Sequence, residues 1–312
     1  MIDEVTGAHV VPLGIPQLDH GFRLQFQAML ATGPLMDGDL LRQVDLAALR
    51  RDGHALVATY LDLTRFGGPL AVGAPLDVRI RIRQVDLAEA GRMSRLGLEV
   101  RYGFSSLPGT GDPTRSRDVA SDVPAGCGEA RIILTLVRPW ERPARRLVGE
   151  PPRQTAHLTV HPLPSPAGPE PVPEEWRPVV SDVPHGGVFG PHHTDPNQHV
   201  YTGTYLGLLE DHVSLLAAAA DLPVAGYRPD RIAAAFRRPL RAGDRYAVRG
   251  TLYEGDGRTA ALVQVAPATG GPPAVVARVD GCASSPDTTY SPDTTCSPDT
   301  TVPAVTTAGT GR

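Results

Sequence analysis

The stretch His192-His-Thr-Asp-Pro-Asn-Gln-His-Val-Tyr-Thr-Gly-Thr-Tyr-Leu-Gly-Leu-Leu-Glu-Asp211 decides the fold. Its second part runs at helical period. Leu206, Leu209, Val213 and Leu216 are spaced three, four and three apart, which places them on one buried face of a helix over 203–220. Asp221-Leu-Pro223 ends that helix, since proline cannot continue it. Its first part, Asp195-Pro-Asn, is turn chemistry. Upstream, Gly187–His193 reads as a strand. Downstream, Ile232–Arg238, Asp244–Glu254, Arg258–Ala266 and Pro273–Asp280 read as strands, with Gly-Asp-Gly-Arg at 255–258 as a tight connection. One long helix against a curved antiparallel sheet is an α+β unit.

The first half repeats this order. Phe22–Leu30 alternates like a strand, and Gly38–Arg51 reads as a helix with Leu41, Val44 and Leu49 inward. Ala55–Arg65, Pro75–Leu87, Met93–Phe104 and Ala130–Arg138 follow as strands, with a connection at 87–92. The same order twice, without sequence identity, predicts duplication of one unit. Between the halves, residues 148–180 carry proline every few positions and read as an extended linker, with 155–160 as a short edge strand. After Ser284 the pentapeptide SPDTT recurs at 285, 291 and 297, too poor in apolar residues to bury a core. The expected organisation is therefore an N-terminal unit over 1–147, a linker over 148–180, a C-terminal unit over 181–283 and a disordered tail over 284–312.

Composition removes several classes of function. The chain is 41% hydrophobic and 21% charged, with a net charge of −4, which offers nucleic acid no electrostatic attraction. Arginine dominates over lysine to an extreme degree, as in a high-GC bacterial coding sequence. The N-terminus lacks the charged and apolar regions of a secretory signal, and no apolar run reaches the 18 or so residues of a membrane span. Cys127, Cys282 and Cys296 lie far apart without Cys-x-x-Cys spacing, so neither a disulfide framework nor a zinc site is expected. The expected location is the cytoplasm.

The chemistry concentrates in the quoted stretch. It places Asp195, Asn197 and His199 on a turn at a helix N-terminus, where backbone N–H groups near 202–204 and the positive end of the helix dipole polarise a bound carbonyl oxygen. A carboxylate and an imidazole within a few residues then activate water or attack directly, an arrangement suited to thioester cleavage. The same Asp-Pro-Asn is also ordinary capping chemistry, which satisfies orphan N–H groups and does nothing else. His192 and His193 belong to the preceding strand and lack a carboxylate at ligand spacing, so no metal is expected.

Asp195-Pro-Asn-Gln-His-Val200, followed by Tyr205-Leu and Glu210-Asp211, resembles the D-x-N-x-H-V-N-N-x-x-Y signature of hotdog-fold thioesterases, closest to acyl-ACP thioesterases. Ala235-Phe-Arg-Arg-Pro-Leu-Arg-Ala-Gly-Asp244 resembles the strand and turn that follow the central helix in that superfamily. The resemblance implies a double hotdog. It makes Asp195 the nucleophile or general base, Asn197 its orienter and His199 a second polar catalytic group. It implies substrate contacts from Tyr201, Thr202, Gly203, Tyr205, Glu210, Arg237 and Arg238, with Arg241 and Arg245 completing a basic rim for phosphopantetheine or an acidic carrier. The substrate would be an acyl-CoA or acyl-carrier-protein thioester of polyketide or fatty-acid-type metabolism, with no cofactor, on a monomer or homodimer. Tyr201 and Thr202 depart from the usual Asn pair, and Pro239 stands where those enzymes have an acidic residue.

The first half lacks the D-x-N-x-H pattern. Its layout is similar to the acyltransferase/decarboxylases of leinamycin-type polyketide pathways, in which a strand tyrosine carries the acyl group, and Tyr60 is the matching position. A strand tyrosine on a half-buried surface is otherwise plain packing. Thioester hydrolysis is thus the first expectation. Acyl transfer through Tyr60, dehydration through His199 with a carboxylate, and a non-catalytic acyl-binding or assembly role are its rivals.

Overall fold

In the computed structural model, residues 1–13, 18–19, 23–31, 44–65, 70, 75–88, 95–106, 125–142, 145–195, 198–222 and 227–283 are described. Strand β3, Pro75–Ala88, shows how the sheet is built: Leu76, Val78, Ile80 and Ile82 are buried on one face, while Asp77, Arg79, Arg81 and Arg83 alternate onto the other. Beside it lie β2 (Ala55–Arg65), β4 (Leu96–Ser106) and β5 (Ala125–Val137), in which runs of residues are buried on both faces. The second half is built from β9 (Tyr227–Phe236), β10 (Arg245–Gly255), β11 (Arg258–Pro267) and β12 (Val275–Ala283). Among the described residues all of these belong to one sheet, which β1 (Val5–Pro12) and β7 (Arg177–Ser181) extend at its two ends, in the order β1-β3-β4-β5-β2-β9-β12-β11-β10-β7. Each block of four lies in the same order, β2-β5-β4-β3 and β9-β12-β11-β10, and the blocks join where β2 pairs antiparallel with β9 from Tyr60↔Ala235 to Thr64↔Arg231.

The long helix α3, Thr202–Ala219, lies on one face of the second block. It buries Tyr205, Leu206, Leu209, Val213 and Leu216 against Ile232, Ala234, Val248, Leu252 and Val263. The hairpin between β10 and β11 closes through Asp256 at φ 52° and Gly257 at φ 70°, the left-handed pair that suits the twist of two antiparallel strands.

Four sequence expectations change. The expected strand over Phe22–Leu30 is, from Phe26 to Ala31, the short helix α1, because Phe26 and Met29, three apart, both turn fully into the core; Phe22 lies outside the described residues. The helix expected over Gly38–Arg51 is described only at its end, as α2, Leu46–Arg51. There Asp45 Oδ1 accepts the Ala48 N–H at 3.0 Å, with Val44 and Leu49 buried and Leu41 outside the described residues. Gly187–His193 is not one strand. It is β8, His185–Val188, then a 3-10 turn over Pro191–His193, since Pro191 has no N–H to give a ladder. Strand β1, Val5–Pro12, was not foreseen; it is an edge strand, mostly exposed, whose burial alternates too weakly to stand out in sequence.

The proline-rich segment is also more ordered than a plain connection. Its edge strand, expected over 155–160, is β6, Val160–Pro164, parallel to β3 beside β1. From there the chain crosses the face of the sheet opposite α3: Glu170 takes a bond from Arg231 at 3.4 Å, and the Pro171 carbonyl accepts from Arg278 at 2.5 Å. It ends in β7, Arg177–Ser181, paired with β10 at the other edge. Trp176 anchors that end, filling the space where a side chain at Gly255 would stand, 2.3 Å from the indole. The SPDTT tail and the 89–92 part of the first-half connection lie outside the described residues.

One buried histidine in this architecture makes the stability pH-dependent. His212 of α3 is fully buried and stacks on His185 of β8, with ring centroids 5.5 Å apart and planes 18° from parallel. Among the described residues neither His212 nitrogen has a hydrogen-bond partner. Burial, and then the neighbouring His185, push the His212 imidazole down to about 4. Above pH ~6.5, the ordinary histidine value, His212 is neutral in both folded and unfolded chains and costs nothing. As the pH falls below that value the unfolded chain takes up a proton that the folded one refuses until near 4, so stability is lost across this window. At pH 5 the loss is about 2 kcal/mol. Urea unfolding midpoints of wild type and His212→Leu at pH 7 and pH 5 check this. An equal drop in both proteins would assign the acid sensitivity to other groups.

Candidate active site

The motif folds into a strapped turn. The Asp195 N–H donates to the His199 carbonyl at 2.8 Å, the Gln198 N–H donates to the Asp195 carbonyl at 2.8 Å, and the His199 N–H donates to Asp195 Oδ1 at 3.0 Å. Gln198 sits at φ 63° to make the reversal. Bonds on both sides hold the turn: the Val200 N–H reaches the Leu240 carbonyl and the Tyr201 N–H the His193 carbonyl, each at 2.9 Å. A bridge pairs His199 with Arg241. Asn197 lies outside the described residues.

The turn feeds directly into α3. Tyr201 is the N-cap residue, and its side chain caps none of the first N–H groups of the helix. The Thr204 hydroxyl donates back to the His193 carbonyl at 3.4 Å. Beside this helix end opens a cleft of about 310 Å³, lined by Gln27 of α1, Phe189, His193, Thr204 and Asp211 among others. Gly203, Gly207 and Asp211 line it at a spacing of four, one stripe along α3. A Cβ at 207 would stand 2.6 Å from the Gln27 amide nitrogen, so the Gln27 side chain of α1 lies directly against the bare backbone of α3 and would have to shift for any larger residue there.

The electrostatics of the wall are specific. His193 Nδ1 accepts the Gly190 N–H at 2.9 Å, which leaves the ring hydrogen on Nε2. Burial, then the adjacent His192, lower its pKa, so it stays neutral. Tyr246, stacked on Phe189 at 4.4 Å, keeps its proton: burial and then Asp211 raise its phenol. Asp211 lies about 12 Å along the helix axis from Gly203, eight residues at 1.5 Å each, so the two mark opposite ends of the stripe.

Of the residues expected from sequence, the cleft lining takes in Gly203; Asp195, His199, Tyr201 and Thr202 form the turn and helix entrance next to His193. Tyr205 is buried beneath that entrance, its phenol pushed up to about 12 by burial. Glu210 faces the seam between the halves, where burial raises its pKa against the opposing pull of Arg65. Arg237, Arg238, Arg241 and Arg245 are exposed on and just after the loop that carries the His199–Arg241 bridge. Tyr60 is not brought to the site. Its neighbours Leu61 and Leu63 enter the core under the helices, whereas Tyr60 points to the other face, into a small cluster with Val85, Leu87, Ile133 and Ala235 that Leu163 covers. Burial, then Asp62, raise its phenol pKa, the opposite of an activated acyl acceptor.

Sequence reasoning missed Gln27, Phe189, His193 and Tyr246 as site residues and gave Asp211 no separate role. His193 and Asp211 stand at the ends of the motif and were within reach; Gln27 comes from a different half and carries no local signal. Among the described residues, no group of three or more His, Cys, Asp or Glu is placed to hold a metal, and no helix is long and apolar enough to cross a membrane.

No family model and no curated protein matches the sequence. Solved structures do. A 12:0-ACP thioesterase from Umbellularia californica superposes with a TM-score of 0.60 at 11% identity, over 89% of this chain and 94% of its own. An acyl-ACP thioesterase from Bacteroides thetaiotaomicron gives 0.55 at 15% identity, over 88% and 97%. A chain from Lactobacillus plantarum assigned as an oleoyl thioesterase gives 0.62 at 11% identity, over 89% and 96%. At these identities the likeness establishes the fold: this chain has the hotdog fold that those thioesterases share.

Proposed function

We propose that the chain hydrolyses acyl thioesters. The observation that carries this reading is the Asp195–His199 turn opening onto the N-terminus of α3, whose N-cap Tyr201 offers no capping side chain, beside a cleft walled by a neutral His193. In the proposed reaction the thioester carbonyl oxygen lies against the first N–H groups of α3 and the His193 Nε2–H, which stabilise the charge that develops on it. Asp195 takes a proton from water as the water oxygen bonds to the carbonyl carbon. The C–S bond then breaks, and the departing thiolate receives that proton. His199, in the same turn, supports the carboxylate, and Asn197 is assigned as its orienter.

The two blocks of identical strand order support reading the molecule as two hotdog units, over 1–147 and 181–283, with the proline-rich segment strapping them together. The exposed arginines 237, 238, 241 and 245 beside the turn suit the phosphates of coenzyme A or of a carrier protein's phosphopantetheine arm. The likeness to acyl-ACP thioesterases favours a fatty-acid or polyketide setting. Acyl transfer through Tyr60 draws no support from a protonated phenol on the far face of the sheet.

A second reading has one observation in its favour. Asp195 Oδ1 accepts the His199 N–H, which is what a purely structural turn cap does. In that reading the cleft binds an acyl thioester without cleaving it. Mass spectrometry of the protein with a panel of acyl-CoA and acyl-carrier-protein thioesters separates the two. Free acid from wild type establishes hydrolysis; bound but intact thioester establishes the binding module.

A further inference from the structure

After β5 the chain turns back on itself between Arg138 and Arg146, and its described residues, 138–142 and 145–146, present an unusual surface. Trp140 is 87% exposed there, although a tryptophan gains more from burial than almost any side chain. Leu147, at the base of the turn, is 40% exposed. Four of the nine residues in 138–146 are arginine, against 30 basic residues in the whole chain of 312, so the density exceeds what the arginine-rich composition supplies. Arg138, Arg142, Arg145 and Arg146 are all exposed, with Glu141 the one acidic residue among them.

The knob is held, not loose. The Val137–Leu147 bridge closes its base, the Arg138 N–H donates to the Arg146 carbonyl at 2.7 Å, and Arg146 Nε reaches the Glu141 carbonyl at 3.0 Å. Arg138 Nε donates to His54 Nε2 at 3.2 Å, which ties the knob to the end of α2, where Arg51 adds another exposed cation.

We propose that this knob docks the protein on an anionic lipid surface. A fully presented indole with a part-exposed leucine on the same segment matches the headgroup zone of a bilayer, where tryptophan rests with its ring in the apolar boundary and its N–H in water. The arginines around it match the negative potential of acidic phospholipids. A specific protein partner fits less well. Such interfaces bury about 800 Å² on each side, whereas the exposed apolar groups here are a single indole and a part-exposed leucine, set among four arginines. The proposal is independent of the thioester reading, because the knob and the cleft share no residue.

Tryptophan fluorescence tests this directly, since the only other indole, Trp176, is buried and serves as an internal constant. The full-length protein is mixed with vesicles of phosphatidylcholine alone or with about a third phosphatidylglycerol, and both emission and co-sedimentation are recorded. The expected result is a blue-shifted emission and sedimentation with the anionic vesicles only, reversed by high salt. Trp140→Ala, and separately Arg142→Glu with Arg145→Glu, weaken sedimentation by about tenfold or more, while the urea midpoint stays unchanged. Wild type that stays in the supernatant overturns the proposal. So does vesicle binding that survives both sets of substitutions.

Discussion

Asp195→Asn is expected to lower kcat for thioester hydrolysis by about 10² to 10⁴, the usual weight of a positioned general base. The variant is chosen because it separates the two things Asp195 can do. Its Oδ1 accepts the His199 N–H at 3.0 Å, and an asparagine Oδ1 does the same, so the turn and the entrance to α3 are preserved. What asparagine lacks is the basicity that removes a proton from water. The urea midpoint should therefore match wild type, and KM should change little. Asp195→Ala, by contrast, loses both base and cap, and should also cost about 1 kcal/mol of stability. Steady-state release of free acid, measured by mass spectrometry, decides between the roles. Should Asp195→Asn keep activity within about threefold while Asp211→Asn loses it, the base is the cleft carboxylate two turns along α3, since its loss alone would carry the fall in rate.

How far the sequence reached depends on where each signal is stored. Helix α3 was legible because Leu206, Leu209, Val213 and Leu216 form their stripe within one segment and meet a fully apolar sheet face. Strand β2 was legible to the residue, Ala55–Arg65, because its second half, Tyr60 to Arg65, sets Leu61, Leu63 and Arg65 on the core face in strict alternation. Helix α1 was not. Phe22-Arg-Leu-Gln-Phe-Gln has period two as written, and only the depth of the core below Phe26 and Met29 makes the chain coil there. The site divides in the same way. The Asp195–His199 turn is local chemistry and could be read from adjacent letters. The cleft exists because Gln27 of one half meets the bare backbone of Gly207 in the other, and no period or spacing encodes a contact across 180 residues. The neutrality of His193 is likewise a property of its surroundings, not of its letter.

The seam that creates the cleft should be the weakest point of the molecule to a single substitution, and Arg65→Ala is expected to cost about 3–5 kcal/mol. Arg65 ends β2, the strand that joins the blocks, and is 5% exposed. Its guanidinium lies 4.3 Å over the Phe26 ring, donates to Asp19 Oδ2 at 3.1 Å in the first half and to the Pro229 carbonyl at 2.7 Å in the second. Burial pulls its pKa down to about 10, so the charge is held at neutral pH against a real desolvation penalty. The penalty is offset by acidic neighbours: Asp19, which Arg23 also pairs, then Glu210 and Asp230. Deleting the arginine removes a cation from among three carboxylates and leaves a buried carbonyl without its donor, which is why the loss exceeds that of an ordinary surface ion pair. Glu210, whose pKa burial already raises, would lose the cation that opposes that rise, and its titration should move further up. Arg65→Lys keeps the charge but not the forked geometry that reaches both halves, so it should fall between wild type and alanine. Urea unfolding of the three proteins at pH 7 measures the series. A cost below about 1 kcal/mol for Arg65→Ala would mean that water readily replaces the guanidinium, and that apolar packing across β2 and β9 holds the halves together without it.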